Sequence, residues 1–161
     1  MSNYEFLHTP DPYSLTHQEL IEIKLKMLQL KPGQVVGDLG LGDARSLITA
    51  CQMEDVTGVG IELHDEALAI AQDNINQAGL ADRITLVQQN FLDADVSKMD
   101  ALHLYLTRTM LGALSLKLEE ELPKGARIVT HEFDIPAWTS IHSEEITLST
   151  GARHWVYVYE K

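Results

Sequence analysis

The chain has 161 residues and a mass of 18.0 kDa, is 45% apolar and 22% charged, and is one domain's worth of sequence, which excludes a disordered tail protein, a collagen-like fibre and a disulfide scaffold. Its 12 Lys and Arg against 24 Asp and Glu give a net charge of −12, a field that repels a nucleic-acid backbone and attracts a basic protein partner. No apolar run approaches the roughly 18 residues of a membrane span, Met1 to Pro12 show no secretion signal, and the lone Cys51 cannot form an internal disulfide, so the expected compartment is the cytoplasm, with no membrane or nucleic-acid partner.

Residues 17–30 are predicted as a helix, with Leu20, Ile21, Ile23, Leu25, Met27, Leu28 and Leu30 on a broad apolar face. Thr16 reads as its N-cap and Glu19 as the partner in a capping box, with Lys31-Pro32-Gly33 as the stop. Gln34 to Leu39 reads as a strand and 43–53 as a helix. Val56 to Glu62 is a second strand, followed by a helix capped by Asp65 and closed at Gly79. Ile84 to Gln88 and Ala101 to Leu106 are the third and fourth strands. A helix over 109–121 follows, with Leu111, Leu114, Leu118 and Leu122 on one side. Ala126 to Glu132 is the fifth strand. Glu145 to Ser149 and His154 to Tyr159 form a closing antiparallel pair around Thr150-Gly151.

Alternation of this kind predicts an α/β fold: a doubly wound, seven-stranded, mostly parallel sheet with an antiparallel C-terminal edge hairpin and helices on both faces. Residues 1–161 read as one domain, with 1–16 as a candidate lid. Ligands in such sheets bind beyond the carboxyl ends of the strands, at the switch point, so the turns after the strands carry the chemistry. Asp38-Leu39-Gly40-Leu41-Gly42-Asp43 lies between a strand and a helix, where Gly40 and Gly42 permit a tight turn and close approach of a ligand. A plain βα turn fits the two glycines equally well. Glu62 ends the second strand about 20 residues later, where a carboxylate accepts both hydroxyls of a ribose. Together they point to a nucleoside-containing ligand. Arg45 stands where a dinucleotide turn needs a small residue. Asp38 and Asp43 repel a diphosphate, and no Gly-Lys-Ser/Thr is present. A ligand with ammonium and sulfonium charges is favoured, which selects S-adenosylmethionine and disfavours a nicotinamide-dependent reductase.

Asp38-Leu39-Gly40-Leu41-Gly42 resembles the first motif of the Rossmann-like S-adenosylmethionine-dependent methyltransferases, and Val59-Gly60-Ile61-Glu62 is similar to their acidic second motif. Gln89-Asn90-Phe91 resembles the loop that holds the adenine, with Asn90 in place of the usual acid; an amide oxygen also accepts from the adenine amino group. More narrowly, Pro12-Tyr13-Ser14-Leu15-Thr16, Leu104-Tyr105-Leu106 and the run from Leu122 to Trp138 resemble the small archaeal and mitochondrial protein-lysine methyltransferases. By this resemblance Tyr13 and Thr16 close over the methionine end of the cofactor. Thr16 as a helix cap and Tyr13 as a core aromatic are the alternatives.

No Asn/Asp-Pro-Pro-Tyr/Phe follows the fourth strand, no Pro-Cys nucleophile is present, and Asp134 stands apart from the carboxylate cluster a divalent metal needs. No metal is expected. Methyl transfer then rests on alignment, which alone supplies about 7–11 kcal/mol. Tyr105, Phe133 and Trp138 are expected to rim a dry aromatic slot for the acceptor, with Glu132 and Asp134 guiding a lysine ammonium. A plain cover over the sheet end is the alternative for Phe133 and Trp138. His131 reads either as a general base or as a hydrogen-bonded structural residue. The other histidines show no metal-like spacing. A protein lysine is the leading acceptor. A small-molecule amine or carboxylate and a non-catalytic cofactor-binding subunit are the competing readings, and the oligomeric state is open.

Overall fold

In the computed structural model, which describes residues 16–161, the sheet runs β3-β2-β1-β4-β5-β7-β6. Its strands are β1 (Val35–Leu39), β2 (Thr57–Glu62), β3 (Ile84–Gln88), β4 (Ala101–His103), β5 (Arg127–His131), β6 (His142–Thr147) and β7 (Arg153–Glu160). β1 to β5 pair in parallel, and β7 is antiparallel to both β5 and β6. The helices are α1 (Gln18–Leu28), α2 (Arg45–Met53), α3 (Asp65–Gln77) and α4 (Arg108–Glu121). The chain winds outward from β1 to β3, then returns to β4 on the other side of β1. The switch point therefore lies between β1 and β4, where Asp38 is paired in register with His103.

Two buried clusters cover the two faces of the sheet. Leu20, Leu25 and Leu28 of α1, Leu47 and Ala50 of α2 and Ala71 and Ile75 of α3 pack on one face with Val36, Val129 and Val156. Leu111, Leu114 and Leu118 of α4 pack on the other with Leu39, Leu102, Ile128 and Tyr159. Each buried leucine contributes about 1.5–3 kcal/mol of transfer free energy. β1 approaches the 94–99 segment so closely that the Met99 sulfur lies where a side chain at Gly37 would begin.

The predicted elements, the mostly parallel sheet and the helix faces hold, but several boundaries and caps differ. His17, not Thr16, is the N-cap of α1: its Nδ1 accepts from the Glu19 N–H at 3.2 Å. The Thr16 carbonyl instead accepts from Arg45 at 2.8 Å, which fastens the start of α1 to α2. Glu19 makes no capping box; its carboxylate accepts from the backbone and hydroxyl of Ser149. α1 stops at Leu28 because Gln29 turns left-handed (φ 52°), before Lys31-Pro32-Gly33. α2 starts at Arg45 rather than 43, since Ala44 is left-handed at φ 68°. His64 holds the cap position of α3 while Asp65 accepts from Gln88. Gly79 is left-handed as expected, at φ 69°. β4 ends at His103, three residues before the predicted end, and β6 begins three residues before its predicted start.

Candidate active site

A cavity of about 800 Å³ opens across the carboxyl ends of β1, β2, β3 and β4. The glycine turn forms its floor. Gly40 and Gly42 are left-handed (φ 79° and 63°), a region that favours glycine. Gly60 on β2 also has no room for a side chain, because Leu41 fills that space. The amides of Gly40, Leu41 and Gly42 are engaged within the protein. Gly40 and Leu41 donate to the Ile61 carbonyl at 2.8 and 3.1 Å, and Gly42 donates to Glu62 at 3.1 Å. They form no cradle for a diphosphate.

Two carboxylates line this floor. Glu62 is 8% exposed. One of its oxygens accepts from the Leu63 and His64 amides at 2.9 and 3.1 Å, and the other from Gly42. Asp38 is buried at the end of β1, accepts from the Ser46 hydroxyl and lies 3.3 Å from His103 Nδ1. Burial pushes its carboxyl up to about 7, while the Ser46 hydroxyl and then Lys24 oppose that rise. His103 Nε2 has no partner among the described residues. Burial, reinforced by Lys24, holds the His103 imidazole well below its usual range, so it is neutral.

Asp43, Asp65 and Glu66 also line the cavity, and the one arginine there, Arg45, is bound to Asp43 at 2.7 Å and to the Thr16 carbonyl. The wall is anionic, and the arginine on it is already paired. This donor set fits a nucleoside bearing cationic groups, as S-adenosylmethionine does.

The other expected site residues divide. Thr16, Asn90, Phe91, Tyr105 and Phe133 line the cavity with Asp38, Gly40, Gly42 and Glu62. The Asn90 oxygen caps the 3-10 turn Phe91–Asp93 by accepting from Leu92 at 2.9 Å. Tyr13 lies outside the described residues. Trp138 does not line the cavity: its indole donates to the Ser115 carbonyl at 3.2 Å and packs edge-on against Tyr159. His131 is buried behind Tyr105, with ring centroids 4.0 Å apart. Its Nδ1 lies 2.8 Å from Lys24 Nζ, and burial with the Lys24 charge holds it far below its usual range. Trp138 thus packs against Tyr159 away from the cavity, and His131 lies between Tyr105 and Lys24. Glu132 and Asp134 are engaged too, with His154 and with Arg108 at 2.9 Å.

Ser46, His103 and Lys24 were not singled out from the sequence. The signal for Lys24 is a charge inside the apolar stripe of α1, four residues after Leu20 and four before Leu28. His103 and Ser46 carry no comparable signal.

The switch-point cavity, the glycine turn and the paired carboxylates define a Rossmann-like S-adenosylmethionine-dependent methyltransferase. The ANTKMT methyltransferase domain matches residues 38–142. A protein-lysine N-methyltransferase of Saccharolobus islandicus is 35% identical over 150 residues, 92% of each chain. The adenine nucleotide translocase lysine N-methyltransferase of Mus musculus is 28% identical over 130 residues, 81% of this chain; the match spans little more than half of the mouse protein, 56%. Among solved structures, an RNA methyltransferase from Salinibacter ruber in complex with S-adenosyl-L-homocysteine superposes with a TM-score of 0.84 at 29% identity, covering 91% of this chain and 92% of that one. The chain belongs to the ANTKMT methyltransferase domain family.

Proposed function

We propose that this chain methylates the side-chain amine of lysine on a protein partner, by alignment and without a metal. The observation that carries this reading is one continuous cavity with Asp38 and Glu62 on its floor and Tyr105 and Phe133 on its wall, so donor and acceptor share one space. The archaeal relative named for protein-lysine methylation matches across 92% of both chains, which supports the same acceptor.

When bound, the cofactor supplies a methyl group already activated on a cationic sulfur. This chain's residues supply the rest. Glu62, pre-oriented by three amides, holds the ribose hydroxyls. Asp38 faces the cationic end, and Asn90 and Phe91 flank the adenine. Gly40 and Gly42 shape the turn, and Thr16, with Tyr13 by resemblance, closes over the methionine end. Tyr105 and Phe133 align the acceptor. A lysine with a pKa near 10.4 must first lose its proton, at a cost of about 4 kcal/mol near neutral pH, and exclusion of water when the acceptor fills the cavity lowers that cost by disfavouring the charged form. The net charge of −12 favours a basic partner, and the buried free thiol of Cys51 supports a reducing compartment, the cytoplasm. Among the described residues no helix is long and apolar enough to cross a membrane.

The Salinibacter neighbour, called an RNA methyltransferase, favours a second reading with an RNA acceptor; the acidic charge opposes it. Thermal unfolding with S-adenosylhomocysteine, S-adenosylmethionine and NADH, each near millimolar, tests the cofactor. A ligand at 100 times its Kd adds about 2.7 kcal/mol, which for this size raises Tm by about 5–10 °C. The expected result is a shift with both adenosyl ligands and none with NADH. Labelled methyl transfer to a cell extract then tests the acceptor. Label lost to protease and retained after nuclease supports the protein reading; the reverse selects RNA.

A further inference from the structure

Lys24 occupies a position of α1 that its helical stripe reserves for an apolar residue. It is fully buried, the one lysine or arginine so placed among the described residues. A buried ammonium is costly unless it is well paired. Its Nζ donates to the Leu104 carbonyl at 2.9 Å and lies 2.8 Å from His131 Nδ1.

Both contacts bear on the same neighbour. Leu104 immediately precedes Tyr105, and the His131 ring stacks on the Tyr105 ring with the planes 21° apart. One amine therefore holds the main chain entering Tyr105 and the surface on which its ring lies. Tyr105 walls the main cavity on one side and a smaller cavity of about 150 Å³ on the other, and Lys24 lines neither.

We propose that Lys24 is a positioning residue for methyl transfer, fixing Tyr105 through the Leu104 carbonyl and the His131 ring. This deepens the reading of Tyr105 as the acceptor wall and rests on it. Alignment is steep in distance: a misplacement of about 1 Å can cost about 100-fold in rate. Methionine at this position fills a similar volume but leaves the Leu104 carbonyl and His131 Nδ1 without their donor. Lys24 also sits close enough to Asp38 to lower that group's pKa. An effect confined to Asp38 would appear in cofactor affinity, whereas loss of the brace appears in turnover.

Lys24→Met and Tyr105→Ala are compared with the wild-type chain. Labelled transfer from S-adenosylmethionine to a dialysed whole-cell protein extract gives kcat and the KM for the cofactor, and calorimetry gives the Kd of S-adenosylhomocysteine. The expected result for Lys24→Met is a kcat at least tenfold lower with Kd within threefold. A kcat within threefold of wild type, or a loss carried by Kd and KM, overturns the proposal. If Tyr105→Ala leaves kcat unchanged, the acceptor-wall reading fails and the brace with it. If Tyr105→Ala lowers kcat tenfold and Lys24→Met does not, the brace alone fails. If Lys24→Met does not fold, nitrogen-15 NMR of the wild-type chain at pH 6 decides. Slowly exchanging Lys24 ammonium protons, with the His131 proton on Nε2, support the brace. A proton on Nδ1, or no protected Lys24 signal, overturns it.

Discussion

Glu62 is held in place before any ligand arrives, by amides from Gly42, Leu63 and His64. Such a carboxylate binds with little reorganisation, so its loss falls on affinity. Two hydrogen bonds to a charged group are each worth about 1.5–3 kcal/mol, so Glu62→Ala is expected to raise the Kd of S-adenosylhomocysteine by about 100-fold or more. Calorimetry checks this, with circular dichroism to show that the fold survives. Asp38→Ala is expected to abolish binding in the same assay, because Asp38 is buried on the cavity floor. Both carboxylates were legible in the sequence, since their spacing from the glycine turn fixes them at strand ends. The side-chain partners of Trp138 and His131 were not legible. A strand end places the backbone, but side-chain direction beyond it depends on tertiary partners, here the Ser115 carbonyl and Lys24.

At the level of elements, the alternation of apolar runs was enough to place seven strands and four helices along the chain and to imply a mostly parallel sheet. Boundaries were harder to read, for local reasons. Leu104 to Leu106 continue an apolar run; the Leu104 N–H donates to the Val129 carbonyl of β5, while Tyr105 and Leu106 line the cavity wall. The cap of α1 passed to His17 because Thr16 bonds through its carbonyl to Arg45. The contact between β2 and the glycine turn gives a sharper test. A methyl group at Gly60 meets Leu41, and overpacking of this kind costs about 1–3 kcal/mol. Gly60→Ala is expected to lower the unfolding free energy read from urea denaturation by that amount. It is also expected to weaken S-adenosylhomocysteine binding, because Leu41 lies between the two turn glycines.

For the molecule as a whole, the buried titratable groups set how stability depends on pH. Burial lowers the pKa of both His103 and His131. A group depressed in the fold gives stability that is present above its ordinary pKa, near 6.5 for histidine, and lost as pH falls. Each contributes a loss of about 1.4 kcal/mol per pH unit below that point. Asp38 acts the other way. Raised to about 7, it gives stability that grows as pH falls from about 7. The net is one histidine's worth, about 2 kcal/mol lost between pH 6.5 and 5. Lys24, lowered to about 7, acts mainly above neutrality. Urea denaturation at the two pH values is expected to show this loss in the wild type and almost none in His131→Asn. The strand order carries a consequence for synthesis as well. β7 follows β6 in the chain yet lies between β5 and β6, and β6 pairs with β7 alone. On the ribosome, β5 keeps an open edge and β6 has no place in the sheet until residues 153–160 emerge. A nascent chain that has emerged only as far as Thr147 presents the outer edge of β5 to its surroundings, the form in which a sheet recruits another chain's edge, so the last hairpin covers that edge as it completes the sheet.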